Sequence, residues 1–214
     1  MKYKAILFDL DGVIVSTDEY HYRAWKQLAD EQGIPFDKKI NDRLRGVSRM
    51  ESLNILLEQS SKAYDHEEKI AMATRKNALY RELIDELTHR DLLPGTMEFL
   101  NKCRENGVLV AIGSSSKNAR FILGKIGLGE YFDAVVDGTD IRNSKPDPEV
   151  FVLGSQKLNL APSACLVVED ADAGVDAGLA GGMEVLAVGA ATGHPEATHR
   201  ADDLEEALKL WPFA

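Results

Sequence analysis

Residues 4–8, with the sequence KAILF, form a nearly continuous apolar run that leads directly into two carboxylates, Asp9 and Asp11. An apolar run without alternation is typical of a strand that is buried on both faces, as in a parallel sheet. An ionised carboxylate at the end of such a strand is costly unless it is solvated, hydrogen-bonded or bound to a cation. The run therefore constrains both the fold of the chain and its chemistry.

Similar apolar runs return only late in the chain, and helical segments separate them. This alternation of strand-like and helical segments predicts an α/β fold with a doubly wound parallel sheet. A loop over residues 189–203 is expected to lead to a short final strand. The later runs are VLVAIG (108–113), the weaker FDAVVDG (132–138), CLVVED (165–170) and EVLAVG (184–189).

Residues 16–93 interrupt the alternation, because they contain helical patterns and no strand-like run. The simplest interpretation is an α-helical cap domain, residues 16–93, inserted into a catalytic core formed by residues 1–15 and 94–214. Short linkers near Val15 and Leu93 would then act as the hinge. The expected helices of the cap span about 17–32, 48–60 and 66–88.

Charge and composition restrict the class of partner. The formal net charge of −10 disfavours nucleic acid or an anionic membrane as the main partner. It leaves room for an anionic small molecule, because a local cation cluster outweighs distant surface charge. Cys103 and Cys165 have no metal or disulfide spacing and are expected to be buried thiols in a reducing compartment. Since Asp9 breaks the only N-terminal apolar run, we expect a cytoplasmic protein, and the scarcity of apolar surface runs favours a monomer.

Polar residues follow four of the apolar runs, and the carboxyl ends of parallel strands meet at one edge of a sheet. Asp9 and Asp11 would there approach Glu169 and Asp170. Mg²⁺ prefers oxygen ligands of this kind. Helix or turn capping by the acids is the alternative, but the second acidic pair favours a metal site.

Two further segments have the composition of a phosphate site. GSSSKN (113–118) places three hydroxyls between a strand and a helix, where free N–H groups bind anions; plain helix capping is the alternative. Lys145 lies in NSKPDPEVF (143–151), where Asp147 and Pro148 are expected to be the N-cap and first helical residue. This lysine would neutralise a transferring phosphoryl group, or else be a solvated loop residue.

Taken in order, FDLDG (8–12), the hydroxyl segment, SKPDP and VVEDADAG (167–174) resemble the four motifs of the haloacid dehalogenase superfamily. The resemblance implies a Rossmann-like core with a mobile cap. It makes Asp9 the nucleophile and Asp11 the general acid/base. Mg²⁺ would be bound by Asp9, the Asp11 backbone carbonyl and Asp170, with support from Glu169. An acid at position 11 favours phosphoryl transfer over dehalogenation, because a leaving oxygen needs a proton donor.

Three cap residues bear on the substrate. Arg49 is the second residue of a helix-capping pattern, SRME (48–51), and would lie in the first turn of a helix, where the helix dipole disfavours a cation. A nearby anion or simple exposure to solvent would explain a cation at this position. Lys76 shares a helical stripe with Met72, Leu79 and Leu83, and it either reaches toward the cleft or snorkels at the edge of the helical bundle. His21 lies just past the predicted hinge and is either packed or directed toward the catalytic edge.

The segments DEYHYRAW (18–25), LRGVSRMES (44–52) and TRKN (74–77) resemble the sugar phosphomutases of the superfamily. This implies interconversion of β-D-glucose 1-phosphate and glucose 6-phosphate, with β-glucose 1,6-bisphosphate as activator and intermediate. Arg49 and Lys76 would hold the phosphate that is not transferred, and His21 would couple binding to cap closure. The implied substrate-binding set is Thr17, His21, Gly46, Arg49, Ser52, Lys76, Ser114, Ser115, Ser116, Lys117, Asn118 and Lys145.

Two rival functions remain. One is a Mg²⁺-dependent sugar-phosphate phosphatase with the same core, and the other is a catalytically silent binding protein. The chain also departs from the family at Ser16, where an aspartate is usual; Ser16 and Glu19 have capping-box spacing, so the serine is predicted to cap the helix. His194 and His199 are assigned no role.

Overall fold

The computed structural model describes residues 2–44 and 46–211. Over these residues the chain forms a six-stranded, fully parallel sheet with the strand order β3-β2-β1-β4-β5-β6. The predicted α/β fold is confirmed, including the weak third strand. The short last strand exists but lies within residues 189–203, which were expected to form a loop that precedes it. The strands are β1 (Ala5–Phe8), β2 (Leu109–Gly113), β3 (Ala134–Val136), β4 (Cys165–Glu169), β5 (Glu184–Ala187) and β6 (His199–Arg200).

Burial on both faces explains why the central strands lack an alternating pattern. In β1, Ile6 and Phe8 point to one apolar cluster, while Ala5 and Leu7 point to another on the opposite face. All four side chains are essentially inaccessible to solvent. Because side chains alternate along a strand, a sheet covered on both sides requires apolar residues at every position.

Helices cover both faces of the sheet. Between β1 and β2 come α1 (Asp18–Gln32), α2 (Lys38–Asp42), α3 (Arg49–Leu57) and α4 (His66–Leu83), then α5 (Thr96–Glu105). The later helices are α6 (Ala119–Lys125), α7 (Glu149–Lys157), α8 (Asp172–Ala180) and α9 (Leu204–Ala207). Short 3₁₀ turns lie at Ile84–Glu86, His89–Asp91, Pro162–Ala164, Gly189–Gly193 and Leu208–Leu210. In the described ranges no helix combines the length and apolarity needed to cross a bilayer.

The helices between β1 and β2 have an apolar cluster of their own, which includes Trp25 of α1, Leu53 of α3 and Met72 of α4. The end of α4 instead joins the cluster beneath the sheet, through Leu79 and Tyr80. The chain leaves and re-enters the sheet side by side, because Val15 bridges Leu92 and the Leu93 N–H donates to the Ile14 carbonyl over 3.0 Å. The division into a core and a cap at residues 16–93 remains a prediction.

Two helices end earlier than predicted, and one short helix was not predicted. The helix expected over 66–88 ends at Leu83, because residues 84–86 tighten into a 3₁₀ turn and Leu87 is not helical. The helix expected over 48–60 ends at Leu57. The five-residue α2 was not predicted, since so short a helix shows little periodicity.

Two predicted N-caps are wrong. Ser16 is exposed and does not cap α1; Thr17 occupies the N-cap position and makes no side-chain cap bond, because its hydroxyl donates to Asp11 instead. Pro148, rather than Asp147, precedes the first helical residue of α7. The Asp147 carboxylate still accepts from the Glu149 N–H over 2.9 Å, so its capping chemistry survives the shift of one residue.

Candidate active site

Polar side chains from four adjacent strands meet at the carboxyl edge of the sheet, as predicted. Asp9 follows β1, Ser114 follows β2, Asp137 follows β3, and Glu169 ends β4. These side chains lie at or beneath the floor of a cleft of about 480 Å³, and residues of α1, α3 and α4 form its opposite wall. The cleft thus separates the sheet from the helices inserted after β1.

Asp9, Glu169 and Asp170, here called the acidic trio, offer carboxylate oxygens that lie within 4.8 Å of one another. All three residues are buried. Lys145, itself only 2% exposed, donates from Nζ to Asp9 Oδ1 over 2.5 Å and also to Glu169 Oε1. The Lys145 ammonium group therefore bridges two members of the acidic trio, Asp9 and Glu169.

Burial and mutual charge shift the pKa values of Asp170, Glu169 and Lys145. Burial, followed by repulsion from Glu169 and Asp9, raises the pKa of Asp170 to about 9. Burial also raises the pKa of Glu169 to about 7, against the opposing effect of Lys145. Burial alone would lower the pKa of Lys145, but Asp9 and Glu169 raise it above the ordinary value. Since carboxylate oxygens are the ligands that Mg²⁺ prefers, the donor set fits a divalent cation.

Two glycines explain how the carboxylates come so close to the backbone. Gly12 has a φ of +84°, and a Cβ there would lie 2.0 Å from Asp170 Oδ2. A Cβ on Gly174 would lie 1.9 Å from the Glu169 carboxyl carbon. Any side chain at either position would push a member of the acidic trio out of place.

The Asp11 carboxylate hydrogen-bonds to Thr17, the N-cap residue of α1. The carboxylate accepts from the Thr17 N–H over 2.5 Å and from the Thr17 hydroxyl over 2.6 Å, and Tyr80 donates to that hydroxyl over 2.9 Å. Burial and the charge of Asp18 raise the pKa of Asp11 to about 7. The Asp11 side chain is not part of the acidic trio, and the metal-binding role assigned to the Asp11 backbone carbonyl remains a prediction.

Residues 114–118, the serine loop, line the cleft beside Asp9. The Ser116 N–H donates to Ser114 Oγ and the Asn118 N–H to Ser116 Oγ, each over 3.2 Å, which folds the loop on itself. Ser115 Oγ is buried and has no hydrogen-bond partner among the residues that the structure describes. A buried hydroxyl left unpaired beside the cleft is suited to a polar ligand.

Across the cleft, Lys76 of α4 is 2% exposed, and its Nζ lies 2.7 Å from His21 Nδ1. The same Nζ lies 4.8 Å from the centre of the Trp25 ring and 4.5 Å from that of Tyr80. Burial, followed by repulsion from Arg49, lowers the pKa of Lys76 well below its usual value. Burial, Lys76 and Arg49 likewise lower the pKa of His21.

No carboxylate among the described residues hydrogen-bonds to Lys76 or to Arg49, whose pKa burial lowers. Both residues line the cleft, together with His21. We call these three residues the cationic cluster, in which the charge lies on Lys76 and Arg49 because the lowered pKa of His21 favours its uncharged form. Buried cations without an anionic partner are costly unless a ligand supplies the anion, so this wall of the cleft is suited to bind one.

The cleft gathers most of the predicted site. Three predicted residues, Thr17, Lys145 and Glu169, do not line it but lie behind residues that do. The predicted residues that line it are Asp9, Asp11, His21, Gly46, Arg49, Ser52, Lys76, Ser114, Ser115, Ser116, Lys117, Asn118 and Asp170. Their functional roles remain predictions.

Sequence reasoning missed several residues that support the site. Tyr80 lies one turn beyond Lys76 and reaches Thr17, and Asn77 Oδ1 accepts from Asn118 Nδ2 over 2.9 Å. Glu149 accepts from the Arg142 and Asn143 N–H groups and so holds the loop that carries Lys145. The helical spacing of Tyr80 from Lys76 was the only signal available, because the other contacts join distant segments.

Comparisons with known proteins agree with this geometry. Residues 3–182 match the haloacid dehalogenase-like hydrolase family. The chain is 42% identical to the beta-phosphoglucomutase of Bacillus subtilis over 90% of this chain and 85% of that protein. It is 30% identical to the phosphorylated carbohydrates phosphatase of Thermotoga maritima, over 85% and 82%. The crystal structure of the Clostridium difficile beta-phosphoglucomutase superposes with a TM-score of 0.90 at 40% identity, covering 94% of this chain and 92% of that one.

Proposed function

We propose that this chain, which belongs to the haloacid dehalogenase-like hydrolase family, interconverts β-D-glucose 1-phosphate and D-glucose 6-phosphate as a β-phosphoglucomutase. The observation that carries the proposal is that one cleft has two separate groups of residues that are each suited to bind a phosphate. The acidic trio with Lys145 and the serine loop forms the first, and the cationic cluster forms the second. A substrate with a phosphate at each end would engage both.

In the proposed reaction, a carboxylate oxygen of Asp9 attacks phosphorus, and the bond from phosphorus to the sugar oxygen breaks. Lys145 holds Asp9 in place and offsets the repulsion between the carboxylate and the phosphate dianion. Serine-loop hydroxyls and N–H groups hold the transferring oxygens. Asp9 and Asp170, supported by Glu169, would hold Mg²⁺, which supplies Lewis-acid stabilisation of the charge on the transferring group when bound.

Asp11 is the proposed general acid and base. It donates a proton to the sugar oxygen that leaves and accepts one from the hydroxyl that later attacks the aspartyl-phosphate. A pKa of about 7 suits both directions near neutral pH. Thr17 and Tyr80 fix the orientation of its carboxylate, and His21 Nε2 lies 3.8 Å from Asp11 Oδ2.

The cationic cluster is the proposed holder of the phosphate that is not transferred. β-Glucose 1,6-bisphosphate would form in the cleft, reverse its orientation there, and present its other phosphate to Asp9. The same molecule, added in trace amounts, would phosphorylate Asp9 and so start the reaction. Closure of the cleft would keep water from the aspartyl-phosphate. The proposed enzyme is a cytoplasmic monomer.

A sugar-phosphate phosphatase is the second candidate, favoured by the 30% identity to the Thermotoga maritima phosphatase and to the Escherichia coli fructose-1-phosphate phosphatase YqaB. The higher identity to the Bacillus subtilis mutase supports the first candidate. The two functions differ only in whether a sugar hydroxyl or water receives the phosphoryl group.

One assay separates them. The protein is incubated with β-glucose 1-phosphate, Mg²⁺ and a trace of β-glucose 1,6-bisphosphate, and glucose 6-phosphate and inorganic phosphate are followed together. Bisphosphate-dependent formation of glucose 6-phosphate, absent with the α-anomer and with D9N, is expected. Phosphate release without isomerisation would reject the mutase.

A further inference from the structure

We propose that the contacts between α4 and α6, here called the cap–core seam, hold the cleft closed during phosphoryl transfer, with Asn77 as a positioning residue that acts through Asn118. The inference rests on the proposed function, since it concerns the competition between sugar and water for the phosphoryl group. The seam joins the helix that carries Lys76 to the helix that follows the serine loop.

Three contacts of different kinds make up the seam. Asn77 Oδ1 accepts from Asn118 Nδ2 over 2.9 Å. The Arg81 guanidinium carbon lies 3.5 Å from the centre of the Phe121 ring. Asp85, in the 3₁₀ turn after α4, accepts from Lys125 Nζ over 2.9 Å.

The spacing of these residues makes the seam continuous. Asn77, Arg81 and Asp85 are four residues apart and therefore share one face of α4 and its extension. Asn118 is the N-cap residue of α6, and Phe121 and Lys125 follow it at spacings of three and four residues, so all three lie along one face of the helix. Contacts follow in the same order along both segments, so the seam runs from the cleft toward the point where the chain returns to the sheet.

The contact nearest the cleft has the most direct link to the reaction. Asn118 is 7% exposed and lines the cleft, whereas Asn77 does not line it. By accepting one amide N–H, Asn77 fixes which way the Asn118 carboxamide turns and leaves its other polar atoms for a phosphate. Because Asn77 follows Lys76 directly, the same hydrogen bond also ties the cationic cluster to the serine loop.

The outer contacts contribute less. The Asp85 side chain is 68% exposed, and ion pairs between exposed groups are weak and screened by salt. Opening of the cleft by rotation near residues 15 and 92 would move Asn77 away from Asn118 more than Asp85 from Lys125, because Asp85 lies nearer that point along the chain. Loss of the Asn77 contact is therefore expected to have the greatest effect on closure.

The test is the ratio of glucose 6-phosphate formed to phosphate released. N77A is expected to lower this ratio about fivefold, the size of effect expected for one hydrogen bond, with the KM for β-glucose 1-phosphate changing less. N77D keeps the acceptor oxygen and is expected to restore most of the ratio. E82A, an exposed change on the same helix, is the control.

A second measurement does not depend on activity. Spin labels on E67C and E196C, which are exposed positions in the helical segment and the core, report the distance between the two; Cys103 and Cys165 are buried and do not compete for label. N77A is expected to broaden the distance distribution and E82A to leave it unchanged. An unchanged ratio together with unchanged distances in folded N77A would overturn the seam. If N77A does not fold, R81Q takes its place, with about a twofold loss of the ratio expected.

The two proposals fail differently. A protein that lacks mutase activity without any substitution contradicts the proposed function, while the label distances still decide whether the seam restrains the cleft. A working mutase whose N77A variant keeps both its ratio and its distances contradicts the seam alone.

Discussion

Lys145 and Lys76 are equally buried, each about 2% exposed, yet their surroundings are opposite in charge. Lys145 lies between Asp9 and Glu169, which raise its pKa. Lys76 lies between aromatic rings beside His21 and Arg49, and burial lowers its pKa. One lysine is therefore paired with carboxylates of the protein itself, whereas the other hydrogen-bonds to no carboxylate of the described residues and would gain an anion from a ligand.

K145M removes the positive charge that is paired with Asp9 and Glu169 at the sheet edge. The substitution leaves Asp9 and Glu169 buried without their cation, so the free energy of unfolding is expected to fall by about 3–5 kcal/mol. Urea unfolding in the presence of a chelator measures this loss. Phosphoenzyme formation is expected to be lost as well, while K209M, an exposed change, leaves both unchanged.

K76M should affect the other lysine site in the opposite direction. Removing a buried cation that hydrogen-bonds to no carboxylate in the described part of the chain is expected to stabilise the free protein by about 1 kcal/mol. The KM for β-glucose 1-phosphate is expected to rise about 100-fold, equivalent to about 2.7 kcal/mol, because a charge-assisted phosphate contact is lost. A K76M protein that is less stable than the unmodified one would contradict the contrast between the two lysines.

Metal binding should distinguish the two ends of the cleft. Mg²⁺ at twenty times its Kd is expected to raise the free energy of unfolding by about 1.8 kcal/mol, since it binds only the folded trio. D170N is expected to abolish this dependence and K76M to preserve it. Unfolding curves with Mg²⁺ and with a chelator provide the measurement; equal responses in D170N and the unmodified protein would remove Asp170 from the site.

Y80F removes the hydroxyl of a residue that contacts both the Asp11 side of the cleft and the cationic cluster. Its hydroxyl donates to Thr17, which donates to Asp11, while its ring packs against Lys76. Loss of one buried hydrogen bond is expected to cost about 1 kcal/mol of stability and to reduce kcat several-fold, with little change in KM. Y64F, whose ring contacts Lys62 at the surface, is the matched control. A change confined to KM would contradict the assignment of this hydroxyl to the Asp11 side.

Sequence patterns predicted the sheet well because its strands are buried on both faces, and continuous apolar runs record that burial directly. Local competition was harder to predict. Ser16 has the spacing of a helix cap, but Thr17 occupies the N-cap position, and its hydroxyl donates a hydrogen bond to Asp11 rather than capping the helix. The end of α4 at Leu83 also depends on tertiary packing, since Ile84 is fully buried in the 3₁₀ turn that follows.

Within the site, motifs identified residue types but not their partners. The convergence of the acids of the trio was predictable, because each ends or follows a strand. That Lys145 bridges Asp9 and Glu169 depends on β1 lying directly beside β4, an arrangement that spacing alone does not specify. The contacts of Asn77 and Glu149 left no motif, since each joins polar groups that are common on any surface.

The bridge between Val15 and Leu92 has a consequence for protein engineering. Because the chain departs and returns at one place, the intervening helices can be exchanged for those of a relative by joining only two neighbouring points. Such a chimera would keep every strand of the sheet and change only the wall that faces it. Selectivity for the distal group of a substrate could then be transplanted separately from the chemistry at Asp9.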